Sequence, residues 1–361
     1  MLNIIYYLLF DALILEPLIA PHIGLLIYAF SSKRRELMSA WDCLQNITKN
    51  KPNSVVTIGT IQNGETEWHV FGENCVELEQ QAHTYEIASI TKTMTGALVA
   101  RAKMDGKLRL DDQIDVYLDL PHDRQYPTIR DLLTHTSGYK SIYIEKEVFK
   151  TIQKTRNILS GVNRDILLRR LESIETKKKR RWRYSNFNFA VLGVILENVY
   201  RVSYQELVTD FLREHNLRHT HLSNGTGDLD NYLGWHRDDV YMAGGAVTSD
   251  IKDMLAYAQL QLEENELFGK THKVLKNVKC GPELCATRNA MGYGWMIDRE
   301  KGFYWHNGAT PGYRTYIGVC PETQTAVVVL ANSNRSLSSY HMESNLGAKI
   351  LEEMQMEYAR V

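Results

Sequence analysis

Glu86-Ile87-Ala88-Ser89-Ile90-Thr91-Lys92 is the stretch that decides the fold, because a long apolar helix is predicted to begin near Ser89 and to run to about Lys103. Side chains three residues apart share a helix face, so Lys92 would lie one turn beyond Ser89. A serine needs a neighbouring base to become a nucleophile. A lysine acts as that base only where desolvation or a nearby cation lowers its pKa. The spacing therefore points to a serine nucleophile with a lysine base.

The Ser-x-x-Lys spacing is weak evidence by itself, because it recurs at Ser137/Lys140 and at Ser249/Lys252. Ser137 precedes a glycine in a predicted loop, where no helix aligns it with Lys140. Ser249 is predicted to be a helix N-cap, whose side chain is occupied with backbone N–H groups. Only Ser89 opens a long apolar helix directly after a predicted β-hairpin.

Two further signals support Ser89. Tyr184-Ser185-Asn186 lies in the helical middle of the chain, and His306-Asn307-Gly308, followed by Ala309, lies at the end of a predicted strand. A tyrosinate beside a lysine can share the work of the base, and an asparagine amide can hold a substrate carbonyl. The glycine lets a substrate backbone lie against the strand edge, and an N–H there can complete an oxyanion hole. The alternative is a buried Tyr, a turn Asn and a strand-end His.

In chain order, Ser-x-x-Lys, Tyr-x-Asn and His-x-Gly resemble the class C β-lactamase family. This family includes serine D-Ala-D-Ala carboxypeptidases, D-aminopeptidases and related esterases. The resemblance covers residues 50 to 335 approximately, and it extends to 128–138, 243–249 and 292–295.

The resemblance implies that Ser89 is the nucleophile and that Lys92 with Tyr184 forms the proton-transfer pair. Asn186 would bind the amide carbonyl of the substrate. The backbone N–H groups of Ser89 and Ala309 would form the oxyanion hole. Four residues are thus assigned to substrate binding: Asn186, His306, Gly308 and Ala309. No metal and no organic cofactor is implied.

The predicted strands lie at both ends of the chain. They are expected at 54–60, 66–71, 292–298, 303–306, 313–319 and 325–331. Residues 107 to 245 have mostly helical patterns, and a further helix is predicted at 36–49 with Leu37, Trp41 and Leu44 on one face. One sheet assembled from distant parts of the chain, with an inserted helical lobe, follows. The fold class is therefore α/β of the α+β type, a β-lactamase/transpeptidase-like antiparallel sheet flanked by helices.

The first 35 residues differ from the rest. Residues 1–30 contain no Lys or Arg and are apolar apart from three residues, and Lys33-Arg34-Arg35 follows. We interpret 1–35 as an apolar N-terminal segment, a membrane anchor or a signal, and 36–361 as the catalytic domain. A buried or interfacial helix and a wrongly assigned start are the alternatives. We expect a membrane-associated or secreted protein, and the sequence leaves a cytoplasmic location open.

The overall composition excludes few partners. A net charge of -1, without a basic stripe interleaved with aromatic residues, gives no reason to expect nucleic acid. Five cysteines are few for the length and odd in number, so they do not indicate the redox compartment. The expected partner is a small-molecule or peptide substrate, and the oligomeric state cannot be read from the sequence.

The chain departs at two positions from the pattern of the family that it resembles. His306 stands where β-lactamases of this family usually carry the Lys of Lys-Thr-Gly, and losing a permanent cation weakens binding of a β-lactam carboxylate. Peptidase or esterase activity is therefore favoured over β-lactamase activity. The basic run 177–183 precedes Tyr184 where many relatives have a Pro-Gly turn. It is either a solvated loop or an attraction for anionic substrates or lipid headgroups.

Three other functions stay open. The first is a catalytically silent penicillin- or peptide-binding relative, and the second is a weak β-lactamase. The third is a different triad with His135 or His306 as general base, although the chain has no Gly-x-Ser-x-Gly elbow to support it.

Overall fold

The computed structural model describes residues 39–174, 181–263, 265–278, 290–332 and 342–358. The apolar segment 1–30, which carries the predicted membrane attachment, lies outside these ranges, as do 177–180 of the basic run. No helix within the described ranges is both long and apolar enough to cross a membrane.

The elements follow the predicted order of strands, helices and strands. The strands are β1 Val56–Gln62, β2 Glu65–Phe71, β3 Glu77–Leu78, β4 Tyr85–Glu86, β5 His221–Leu222, β6 Val247–Ser249, β7 Lys276–Asn277, β8 Ala290–Met291, β9 Met296–Asp298, β10 Phe303–Ala309, β11 Tyr313–Cys320 and β12 Thr325–Asn332. The helices are α1 Ala40–Thr48, α2 Thr91–Met104, α3 Ile129–Leu133, α4 Phe149–Thr155, α5 Arg164–Ser173, α6 Asn186–Tyr200, α7 Tyr204–Glu214, α8 Ile251–Leu262, α9 Phe268–Thr271 and α10 Met342–Tyr358.

The main sheet joins the two ends of the chain. In the described part its order is β3-β2-β1-β12-β11-β10-β9-β8-β7, and each neighbouring pair is antiparallel. Strand β1 therefore lies between β2 and β12, with Thr57 opposite Leu330. The sheet assembled from distant segments, with the helical middle between them, confirms the predicted fold class.

Helices cover both faces of the sheet, which explains the uninterrupted apolar run of β12. Val327, Val329 and Ala331 point into the core that α1 and α10 close. Ala326, Val328 and Leu330 point into the larger core on the opposite face, which α2 and α8 share. In a strand that is buried on both faces, apolar residues follow one another instead of alternating with polar ones.

The helical middle is attached to the sheet beside the predicted nucleophile. Helices α3 to α7 all lie within 107–245, as expected. A second, three-stranded sheet of order β4-β6-β5 links this region to the residues directly before Ser89, because Glu86 pairs with Thr248. The boundary between the helical region and the main sheet therefore lies next to Ser89, and a substrate cleft is expected there.

Three local predictions were wrong. The strand predicted at 292–298 is present only at 296–298, because Gly292 N–H donates to the Trp295 carbonyl (2.9 Å) and closes a turn between β8 and β9. Trp41 was placed on the apolar face of the first helix, but its side chain is 53% exposed, while Cys43, Leu44 and Ile47 face the core. Packing against α10 sets that face. Ser249 is not an N-cap: it ends β6, its hydroxyl lies 2.7 Å from that of Thr220, and Asp250 caps α8 instead.

Candidate active site

Ser89 lies in a tight turn at the start of α2. Residues Ala88–Ile90 form a single 3-10 turn that runs into the helix, and Ala88 has a left-handed φ of 48°. Such a conformation costs a non-glycine residue roughly 1 kcal/mol and needs support from its surroundings. Here the Ile87 carbonyl accepts from Ile90 N–H (3.1 Å) and from the Thr315 hydroxyl (3.0 Å). The turn leaves Ser89 partly exposed.

Lys92 is the buried centre of the site, with 0% of its surface exposed. Its Nζ lies 3.0 Å from Ser89 Oγ, 2.7 Å from Asn186 Oδ1 and 2.5 Å from the carbonyl oxygen of Gly244. Burial disfavours the charged form and holds the pKa of Lys92 well below its usual value of 10.5. The predicted helical alignment of Ser89 and Lys92 is therefore present, and the lysine is in the desolvated state that the chemistry requires.

Tyr184 and Asn186 reach Lys92 from the start of α6. Ser185 caps this helix by accepting from Asn188 N–H (3.2 Å), so its neighbours on either side point towards α2. Lys92 Nζ lies 5.1 Å from the centroid of the Tyr184 ring. Asn186 turns Oδ1 to Lys92 and donates from Nδ2 to Ser141 Oγ (3.2 Å). Its amide therefore keeps one hydrogen for another acceptor.

The end of β10 presents an open edge beside Ser89. Strand β9 pairs only with 303–305 of β10, and no other strand of the described residues covers that edge further along. Thr310 N–H donates to the Tyr313 carbonyl (3.0 Å), on the side of β11. Because N–H groups alternate in direction along an antiparallel strand, Ala309 N–H points away from β11, to the open edge. That is the direction the predicted oxyanion hole requires.

The structure explains the glycine at position 308 by a contact other than the predicted one. A Cβ at this position would come 2.2 Å from the Ile87 carbonyl oxygen and 2.2 Å from Thr315 Oγ1. The missing side chain therefore lets the strand approach the Ala88–Ile90 turn of this chain. Contact of the glycine with a substrate stays a prediction.

His306 is buried, and it lies two residues before Gly308 on the same face of β10. Its Nδ1 lies 2.7 Å from the carbonyl oxygen of Asn307, so a neutral imidazole carries its hydrogen on Nδ1. The ring centroid lies 6.3 Å from that of Tyr184. The structure thus brings His306 to the tyrosine, as expected, and its role towards a substrate stays a prediction.

Sequence reasoning missed two partners of these residues: the Gly244 carbonyl and the Ser141 hydroxyl. The stretch 243–249 was singled out as part of the family resemblance, which was the available signal for Gly244. Nothing in the sequence marked Ser141. Gly244 follows Lys92 by 152 positions, so only the fold brings them together.

The described residues contain one group with metal-ligand geometry, His219, Asp250 and Asp253. Asp250 accepts from Asp253 N–H (2.9 Å) as the cap of α8, and Asp253 accepts from the N–H of His219 and from the hydroxyl of Thr220 (2.7 Å each). These hydrogen bonds account for the cluster as a helix cap.

Comparisons with known proteins identify the family of this chain. The family model described as Beta-lactamase matches residues 59–351. Protein flp of Staphylococcus aureus (strain MRSA252) is 26% identical over 280 residues, covering 69% of this chain and 53% of flp. D-aminopeptidase of Brucella anthropi is 22% identical over 266 residues, covering 68% and 49%. The chain spans about half the length of these curated relatives.

The fold has solved counterparts. The crystal structure of beta-lactamase/D-alanine carboxypeptidase from Yersinia pestis complexed with citrate superposes with a TM-score of 0.70 at 19% sequence identity. The match covers 90% of this chain and 99% of the other. At this identity the likeness establishes the fold.

Proposed function

The chain belongs to the beta-lactamase family, and from that membership we propose that it is a serine hydrolase that forms an acyl-enzyme on Ser89. The observation that carries the proposal is the buried Lys92 amine, 3.0 Å from Ser89 Oγ and with its pKa lowered by burial. A lysine at the surface would be protonated at neutral pH and could not accept the serine proton.

Proton transfer follows from the contacts of Lys92. A neutral amine donates its two hydrogens to Asn186 Oδ1 and to the Gly244 carbonyl, which directs its lone pair at Ser89 Oγ. The serine proton moves to Nζ while Oγ forms a bond to the substrate carbonyl carbon, whose π electrons move to its oxygen. The N–H groups of Ser89 and Ala309 stabilise this oxyanion.

Collapse of the tetrahedral intermediate completes acylation. The oxyanion electrons reform the carbonyl, the bond to the leaving amine or alkoxide breaks, and the leaving group takes the proton held by Lys92, with Tyr184 as the relay. Water then attacks the carbonyl carbon of the acyl-enzyme ester and gives one proton to the same pair. The bond between that carbon and Oγ breaks as Oγ takes the proton back, which releases the acid and free Ser89. Every proton is returned, so the cycle needs no further reactant.

We propose a small amide or ester as the substrate, of the D-amino-acid peptidase, carboxypeptidase or esterase type. His306 in place of a lysine removes a permanent cation, which argues against efficient β-lactam hydrolysis. The name of one curated relative, a D-aminopeptidase, supports a peptide with a D-amino acid.

The test is covalent labelling of the full chain with a fluorescent fluorophosphonate and with penicillin, followed by mass mapping of the adduct. We expect one adduct on the peptide that contains Ser89, loss of the adduct in Ser89→Ala, and an unchanged adduct in the matched control Ser249→Ala. An inert wild type would support a catalytically silent binder, and labelling that survives Ser89→Ala would overturn the proposal.

A substrate panel then identifies the reaction. It comprises p-nitrophenyl esters, D-Ala-D-Ala peptides, D-amino-acid amides and nitrocefin. Turnover of an ester or a D-amino-acid amide above that of nitrocefin is expected, and the reverse order would make the protein a β-lactamase.

A further inference from the structure

His135 lies directly behind Tyr184 and takes no part in the chemistry derived above. Its side chain is fully buried, and its backbone has a left-handed φ of 55°. A substrate cannot reach a side chain in this position, which argues against His135 as a general base. Histidine, asparagine and aspartate are among the residues that adopt a left-handed conformation most often.

His135 holds the backbone on both sides of Tyr184. Its carbonyl oxygen accepts from Arg183 N–H (2.8 Å), and its Nδ1 accepts from Ser185 N–H (3.1 Å). Because Nδ1 accepts a hydrogen bond, it carries no hydrogen, and the imidazole is neutral with its hydrogen on Nε2. One residue thereby holds the peptide group between residues 182 and 183 and the peptide group that follows the tyrosine, between residues 184 and 185.

The imidazole ring also fixes the tyrosine ring. The His135 and Tyr184 centroids lie 4.5 Å apart with an interplanar angle of 34°, and Phe189 packs on His135 at 5.5 Å. Lys92 Nζ lies 5.1 Å from the centroid of Tyr184. The tyrosine ring thus packs on His135 and lies close to the lysine it is proposed to serve.

A rigid platform holds His135 itself. Helix α3 begins with a capping box between Thr128 and Asp131 and ends at Leu133, with its C-cap residue directly before the histidine. The backbone carbonyl of Asp131 accepts from Thr136 N–H (2.9 Å), and Ser137 Oγ donates to Asn188 Oδ1 (2.6 Å). The stretch 128–138, singled out in the sequence, therefore holds the His135 side chain in place.

We propose that His135 is a positioning residue for Tyr184, acting through its Nδ1 acceptor and its stacked ring. The proposal rests on the proposed function. A displacement of the tyrosine hydroxyl by about 1 Å would slow acylation roughly 100-fold. The substrate makes no contact with His135, so KM should change little.

The test compares two substitutions in the full chain with p-nitrophenyl acetate as the probe. His135→Asn keeps an acceptor, Oδ1, near the position of Nδ1 and accepts the left-handed backbone. His135→Leu keeps bulk but removes the acceptor. We expect kcat to fall about 100-fold in His135→Leu with KM within about threefold, and recovery to within about tenfold of wild type in His135→Asn.

The matched control is Ser137→Ala, which removes a hydrogen bond of the same platform without touching the neighbours of Tyr184. It should lower Tm while leaving kcat within about twofold. Equal losses of kcat in the Asn and Leu variants, or an unchanged kcat in His135→Leu, would overturn the proposal.

Crystal structures of the variants separate this proposal from the proposed function. Tyr184 should keep its position in His135→Asn and shift in His135→Leu, whether or not the wild type turns over the probe. An inert wild type with this pattern would refute hydrolysis and leave the positioning intact. An unshifted Tyr184 in His135→Leu would refute the positioning alone.

Discussion

The spacing Ser-x-x-Lys occurs at the start of α2 and again at the start of α8, with opposite surroundings. At α2 the serine is partly exposed and Lys92 is fully buried; at α8 Ser249 is fully buried and Lys252 is exposed. Lys92 has three oxygen atoms within 3.0 Å, whereas Ser249 is engaged with Thr220. The same residues at the same separation therefore form a candidate catalytic pair in one place and a strand end in the other.

The difference shows that burial of the lysine, and exposure of the serine, give this spacing its chemistry. A nucleophile must meet its substrate, so Ser89 has to be accessible. A lysine base must be neutral, so Lys92 has to be shielded from water. The second pair inverts both conditions.

Replacing Lys92, with Lys252 replaced as the control, gives the largest expected effect. Lys92→Met should slow fluorophosphonate labelling by roughly 10²- to 10⁴-fold, the usual contribution of a general base. Lys252→Met should leave the rate within about twofold, because that side chain is exposed and away from Ser89. The rates are measured by gel fluorescence on folded protein. Comparable losses in the two variants would show that burial of Lys92 is not what matters.

The pH dependence sharpens the same contrast. The base is the neutral amine, so labelling should rise with pH through the lowered pKa of Lys92 and level off well below 10.5. Below that pKa the rate should fall about tenfold per pH unit, because the deprotonated fraction does. The labelling rate between pH 5 and 10 checks this, with Lys252→Met giving the same profile as wild type. A rate still rising at pH 10 would contradict it.

The stability of α8 gives the smallest effect. Asp250→Ala removes the cap and should lower the free energy of unfolding by about 1 kcal/mol, while Asp250→Asn, an equally good cap, should be nearly neutral. Ser249→Ala should cost less than Asp250→Ala. Urea unfolding measures all three, and a larger loss in Ser249→Ala would return the capping role to the serine.

Local signals carried the sequence prediction where the cause is local. Helix α7 begins at Tyr204 because Ser203 and Glu206 form a capping box within four residues, so the start of this helix has a local cause. Strands β11 and β12 begin at the predicted residues, Tyr313 and Thr325. The alignment of Ser89 with Lys92 is likewise local, because the 3-10 turn 88–90 runs directly into α2.

Prediction failed where a distant segment decides. The exposed side of Trp41 depends on packing against α10, at the other end of the chain. Whether Ser249 or Asp250 caps α8 depends on Thr220, which occupies the serine hydroxyl. The third partner of Lys92, the Gly244 carbonyl, is fixed only after the helical part has folded. Periodicity and spacing contain none of this information.

The insertion of β1 between β2 and β12 has a consequence for synthesis on the ribosome. Val56 pairs with Ala331, so the first hairpin leaves the ribosome with one long unpaired strand edge. The strand that pairs with this edge lies near the other end of the chain. At about 5–20 residues per second, the nascent chain exposes that edge for tens of seconds. Unpaired edges of this kind invite association with other chains. Chaperone capacity and growth temperature, rather than the stability of the finished protein, should therefore limit the yield of soluble protein.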